Sequence, residues 1–229
     1  MPCKSLTGST CSQTSPRGAD HGSAKATINV WETNFVNDLS GFKLYDLDAR
    51  GKGSRNVFFL LANGTMHAHV SEIPVGRYKK AHRHAAGTHV HACDGTGYSL
   101  LWYDGDSEFV ELPWRHGFMY TPPFWMFHQH FNTCDKPARY YACSIGSARY
   151  PLISLRRVSA EGGGSTSVKQ GGRQIEYEDQ DPRVHRKFLE AIRKTGVPSI
   201  MGDLFDEAAI MALPPEKLRG VMNVAGAQG

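Results

Sequence analysis

Between residues 57 and 145 apolar and polar positions alternate in short runs: VFFLLANG, TMHAHVSEIPVG, RYKKAHRH, THVHACDGTG, YSLLWYDGD, SEFVELPWRHG, FMYTPP, WMFHQHFNT and ARYYACSIG. Successive side chains of an extended chain point to opposite faces, so runs of period two predict strands lying half-buried on a core. The segments Ala62-Asn63-Gly64, Asp94-Gly95-Thr96-Gly97 and Asp104-Gly105-Asp106 separate them. They have turn chemistry, because Gly accepts positive φ and Asp or Asn hydrogen-bonds its own backbone. Many short strands with no helical pattern among them predict an all-β sandwich or small barrel.

The pattern changes on both sides of this block. MPCKSLTGSTCSQTSPRGADHGSAKA is rich in Ser, Thr and Gly and has no apolar stretch of signal-peptide type, so residues 1–27 are expected to be disordered and the location cytoplasmic. Residues 28–158 are expected to form the barrel. Residues 159–180, with the run GGGSTSVKQGG, read as a linker, and 181–229 as a helical tail. In that tail Asp181 is placed to cap a helix with Pro182 at its first position, an apolar stripe of Val184, Phe188 and Ile192, and Gly196 as its stop. Shorter helices are expected at 203–213 and 215–224. The stripe is expected to pack on the barrel or on the partner of a homodimer.

Composition narrows the class. The 229 residues are 40% hydrophobic and 21% charged, ordinary for a soluble globular protein, and no apolar run reaches the roughly 20 residues of a membrane span. The net charge of +4 comes from basic residues spread along the chain, with no stripe of the kind that binds nucleic acid. Five cysteines without a C-x-x-C pair fit free thiols in a reducing compartment.

Histidine changes the picture most. Nine of eleven histidines lie between residues 67 and 130, and eight of them form four H-x-H pairs: 67/69, 82/84, 89/91 and 128/130. On strands each pair converges on one face, and convergent neutral imidazoles suit a transition metal such as Fe(II), Mn, Ni, Cu or Zn. One ion takes three or four protein ligands, so not all eight serve it.

These segments resemble the two motifs of the cupin superfamily, G-x5-H-x-H-x3-4-E-x6-G and G-x5-P-x-G-x2-H-x3-N. Gly76-RYKKA-His82-Arg83-His84 matches the start of the first. Gly117-FMYTP-Pro123-Phe124-Trp125-Met126-Phe127-His128-QHF-Asn132 matches the second, with Trp125 where Gly is usual. The resemblance covers about residues 55–147 and implies an antiparallel double-stranded β-helix, a jelly-roll barrel holding a divalent metal inside. At the family's glutamate stands His89 if the gap after His84 is four residues, or Thr88 if it is three; Gly95, seven after Thr88, fits the shorter gap. The ligand set implied is His82, His84, His89 and His128, with His91 or His130 as substitutes.

A set without glutamate resembles the gentisate and salicylate type dioxygenases, which implies an Fe(II) enzyme cleaving a small aromatic or organic-acid substrate. Non-oxidative lyase, isomerase or hydrolase chemistry at the same ion, and a non-catalytic ligand-binding barrel, are the alternatives. Glu72, Tyr98, Tyr120 and His130 are the candidate catalytic side chains, with Glu111 a second possible base. Tyr98, Trp102, Tyr120, Trp125, Phe127 and Phe131 are available to line a pocket, although aromatics in a small barrel are first of all core. Lys79, Lys80 and Arg83 are placed to attract an anionic substrate, alternation turning Arg83 away from its histidine neighbours. Gln129 and Asn132 are candidates to orient a ligand imidazole.

Overall fold

A computed structural model describes residues 11–14, 28–84, 88–146 and 165–214. Its strands are β1 (Cys11–Thr14), β2 (Ile28–Glu32), β3 (Tyr45–Asp46), β4 (Arg55–Leu61), β5 (Met66–Ile73), β6 (His89–Asp94), β7 (Thr96–Trp102), β8 (Val110–Arg115), β9 (Met119–Tyr120), β10 (Phe127–Asn132) and β11 (Ala138–Ile145). The large sheet runs β1-β2-β4-β5-β11-β6-β9, with β3 also paired to β4, and the small one runs β10-β7-β8. Every pairing is antiparallel except β2 with β4. The alternating runs thus become strands as expected, and two stretches of the chain depart from the expectation. Cys11–Thr14, expected in a disordered segment, pair with β2, which backbone hydrogen bonds alone allow in a stretch poor in apolar side chains.

The second exception is RYKKAHRH. Residues 78–84 run antiparallel beside β10 but are paired there only at Tyr78 with Phe131 and His82 with His128. Four steps on one chain therefore match three on the other, which is a β-bulge with Lys80 as the extra residue. The Lys80 N–H leaves the ladder and donates to the Arg50 carbonyl at 3.0 Å. On its far edge this segment pairs with residues 173–175: Arg83 N–H donates to Arg173 O at 3.0 Å, and Ile175 N–H to Ala81 O at 2.9 Å. Residues 165–180, expected as part of a linker, are instead packed structure with Gln174, Ile175 and Tyr177 buried. Residues 159–164, in the same expected linker, lie outside the described part.

The two sheets face each other, and the small sheet is covered on its outer side by helix α1 (Pro182–Thr195). The Asp181 side chain accepts from Arg183 N–H, and Gly196 closes the helix at φ 73°, as the caps in the sequence predict. Val184, Phe188 and Ile192 join Tyr78, Tyr98, Leu100, Trp102, Phe127 and Phe131 in the largest core cluster. Consequently β10 is buried at all six positions, its odd residues against α1 and its even ones against the large sheet. A second helix, α2 (Glu207–Ala212), lies within the expected 203–213; the expected helix at 215–224 falls outside the described residues. The outer face of the large sheet packs Val57, Phe59, Ala68 and Val70 against Trp31, Leu44 and their neighbours. No helix among the described residues is long and apolar enough to cross a membrane.

Phe188 is fully buried, edge-on to Tyr78 at 4.8 Å between ring centroids. Phe188→Ala is expected to cost about 3–5 kcal/mol of stability. Phe35, 61% exposed, serves as the control, with Phe35→Ala expected to cost under about 0.5 kcal/mol. Urea unfolding of both variants measures the difference, and equal midpoints would show that α1 is not docked as described.

Candidate metal centre

The bulge and the pleat of β10 together aim three imidazoles at one point. His128 lies on the face of β10 turned to the large sheet, as His130 does, whose ring is 4.8 Å from that of Tyr140 on β11. His82 is locked beside His128 by reciprocal backbone bonds, His82 N–H to His128 O at 3.1 Å and His128 N–H to His82 O at 2.9 Å. His84, two residues on, returns to the same face. Ring centroids of His82 and His128 are 4.3 Å apart, and those of His84 and His128 4.6 Å. One nitrogen from each of the three lies within 4.8 Å of the others.

The chemistry of these donors fits a divalent transition metal. His128 Nδ1 is 3.1 Å from Met126 O and His82 Nδ1 is 3.4 Å from Lys80 O. A carbonyl only accepts, so Nδ1 carries the proton in each ring and Nε2 keeps its lone pair for a ligand. Burial, reinforced by the neighbouring Arg50 charge and the other histidines, holds His82 well below the ordinary imidazole value. His128 is pushed down to about 3, by burial first and then by His130. The His82 and His128 rings are therefore neutral at physiological pH, the state in which imidazole binds metal.

His89 is not brought to this cluster. On β6 Val90 and Ala92 turn inward to the core, so His89 and His91 turn outward; His89 is exposed with Nδ1 3.1 Å from Thr121 Oγ1, and the His91 ring lies 5.9 Å from Tyr141. Thr88 takes the inward position and is 2.6 Å, hydroxyl to hydroxyl, from Ser144. The shorter gap is therefore the structural one, and Gly95 has the φ of +83° that suits glycine, with Ala138 too close to admit a Cβ.

Of the candidate catalytic residues, two reach the interior. His130 Nδ1 is 2.8 Å from both Ser99 Oγ and Tyr120 Oη, which are themselves 2.6 Å apart, and Trp114 Nε1 donates to Ser99 Oγ at 3.2 Å. Burial pushes His130 down to about 3. The other two are turned away by strand parity. Tyr98 stacks on Phe131 at 4.5 Å in the core beneath α1, and Glu72 lies on the outer face of the large sheet, 2.7 Å from Arg139. Glu111 pairs with Lys187 at 2.6 Å, outside the barrel. Gln129 donates to Lys79 O at 2.8 Å and Asn132 to Ile73, Pro74 and Lys136 carbonyls, so the ligand rings are oriented by backbone carbonyls rather than by these amides.

Arg83 points away from the histidines, as alternation requires, ion-paired to Asp104 and lying over the Trp125 and Phe127 rings at 5.0 and 4.4 Å. Trp125, at the motif position where Gly is usual, has φ 61°, the left-handed region that bulky residues avoid. Its N–H donates to His84 O at 3.2 Å, so a strained backbone holds the segment of one ligand. Interior residues outside the expected ligand and catalytic sets are Arg50, His69 and Tyr140. The inward parity of His69 on β5 was the available signal.

His128 and His130 generate a pH test. Unfolded, each titrates near the ordinary value of roughly 6.5; folded, each stays neutral to about 3. Between those values the unfolded chain binds more protons, so the contribution is complete above about pH 6.5 and is lost as the pH falls. Each group changes stability by at most about 1.4 kcal/mol per pH unit. The Tm of the metal-free protein is expected to drop between pH 7 and 5, more than in His130→Gln. Identical slopes for the two would remove His130 from the account.

No protein-family model matches the chain, and no curated protein matches it. Among solved structures it is similar to the Drosophila melanogaster CENP-C cupin domain, at 13% identity over 48% of this chain and 75% of that one, with a TM-score of 0.39. It is similar to Bacillus subtilis oxalate decarboxylase at 17% identity, over 47% and 29%, with a TM-score of 0.39. For salicylate 1,2-dioxygenase from Pseudoaminobacter salicylatoxidans the identity is 12%, the shares 42% and 25%, and the TM-score 0.35. The two facing sheets, with the first motif's histidines paired to the second motif's strand, identify the fold as a cupin-type β-barrel.

Proposed function

We propose that this chain is a metal-dependent enzyme, an Fe(II) dioxygenase that cleaves a small aromatic or organic-acid substrate. The observation that carries the reading is the all-imidazole cluster of His82, His84 and His128, which no carboxylate joins among the described residues. Three neutral ligands leave the full charge of a divalent ion uncompensated, which favours anionic substrates and leaves coordination positions open. Fe(II) held by His82, His84 and His128 would supply the redox chemistry for dioxygen-dependent carbon–carbon cleavage.

The remaining roles belong to the chain. The carbonyls of Lys80 and Met126 fix the imidazole tautomers. Tyr120, Ser99 and His130 form a closed set of hydroxyl and imidazole groups able to hold a proton beside the centre. Phe58, against His69 at 5.2 Å, adds an aromatic wall.

Protein purified without oxygen is expected to carry about one transition metal per chain by elemental analysis. His82→Ala with His128→Ala should abolish it, whereas His89→Ala should leave it unchanged. Full metal content in the double variant, or its loss in His89→Ala, overturns the ligand set. Oxygen uptake over a series of aromatic and keto acids tests the reaction. Anaerobic turnover of a carboxylate without oxygen uptake assigns lyase chemistry instead.

A further inference from the structure

Lys79 is 3% exposed and lies on the inner side of the bulged segment, three residues before His82. Its ammonium donates to Tyr140 Oη at 3.3 Å and sits 5.2 Å from the centre of that ring. Among the described residues it has no carboxylate partner. The acidic groups in its vicinity are taken: Glu176 by Lys80, and Glu72 by Arg139 on the other side of the large sheet. A buried ammonium without a counter-charge is costly, and burial, then Arg50, pushes Lys79 down to about 7.

Arg50 supplies a second cation at the same place. Half-buried, it extends from the turn at Asp48–Arg50 and places Nη1 3.5 Å from Gln174 Oε1, while Gln174 bridges to His82. The Arg50 carbonyl accepts from Lys80 N–H at 3.0 Å, which anchors the residue beside the bulge that carries Lys79. The interior therefore holds two basic side chains, neutral imidazoles and phenols, and Glu176, whose charge reaches Arg50, is itself paired with Lys80.

We infer that Lys79, Arg50 and the Tyr140 hydroxyl form a subsite for the carboxylate of a small organic acid, beside the three-histidine cluster. The Lys79 ammonium and the Tyr140 hydroxyl, 3.3 Å apart, offer adjacent donors to a carboxylate, Arg50 adds a second positive charge, and the interior rings suit the organic part of such a molecule better than a fully hydrated inorganic anion. This deepens the metal-enzyme reading and rests on it for the place of the substrate, although the anion subsite itself requires only these side chains.

The test is calorimetry on the full chain, metal-loaded and metal-free, with salicylate, benzoate and oxalate. Benzamide serves as the neutral counterpart and inorganic phosphate as the competing anion. At least one carboxylate is expected to bind more tightly than either control, and Lys79→Met should weaken it at least about tenfold with metal content unchanged. Lys79→Met removes a buried unpaired charge, so its Tm should equal or exceed that of the wild type. Should it fail to fold, Tyr140→Phe provides the second variant, with weakened carboxylate binding and unchanged metal. Equal carboxylate affinity in wild type and variant, equal affinity for benzamide or phosphate, or no binding by any carboxylate overturns the subsite. A wild-type protein that takes up no metal overturns the enzyme reading, and the metal-free titrations then decide the subsite separately.

Discussion

The reciprocal pair of backbone hydrogen bonds between His82 and His128 is the contact on which the rest of the centre depends. It joins two segments that are far apart in the chain and holds their side chains on one face at a spacing that side-chain packing alone would not hold. Because the bonds are made by main-chain groups, the imidazoles stay free to turn their other edge toward a ligand. The carbonyls of Lys80 and Met126 lie two residues from each ring and complete the same device from within the strand.

That pairing is stable because both layers around it are covered. Strand β10 has the large sheet on one side and α1 on the other, so its ladder is shielded from competing water along its length. Segment 78–84 has β10 on one edge and residues 173–175 on the other, which protects an irregular, bulged edge that would otherwise present open donors and acceptors. Gln174 reinforces the second edge by donating to Ala49 O and Glu176 Oε1, both at 2.9 Å. The stretch that reads as a Gly-rich connector thus builds part of the wall.

Much of this was legible in the sequence, and the failures have physical causes. Alternation located the strands because one face of each is buried, and the Asp181, Pro182 and Gly196 signals bounded α1 because helix ends need local partners for orphan backbone groups. The clustering of His82, His84 and His128 was legible from pair spacing and motif, whereas the outward position of His89 was not. His89 differs from Thr88 by one residue, and one residue inverts the face. Lys79 illustrates the converse. Three residues from His82, it should lie on the opposite face of a regular strand, and only the extra residue at Lys80 brings both to the interior. Glu72 and Tyr98 face away from the histidine cluster, because proximity along a strand does not say which side a residue faces. Arg50 and Tyr140 come from elements whose approach depends on tertiary packing.

The clamp made by Gln174 also has a temporal side. Its side chain bonds Ala49, 125 residues earlier in the chain, and its backbone lies against His82. Contacts of such sequence separation form late in folding, because the loop they close must be ordered before they return any free energy. During synthesis the edge of segment 78–84 cannot meet Gln174 before that residue has been made. Only when the chain beyond residue 175 has left the ribosome does that edge close, so maturation of the centre is tied to completion of the polypeptide that follows it.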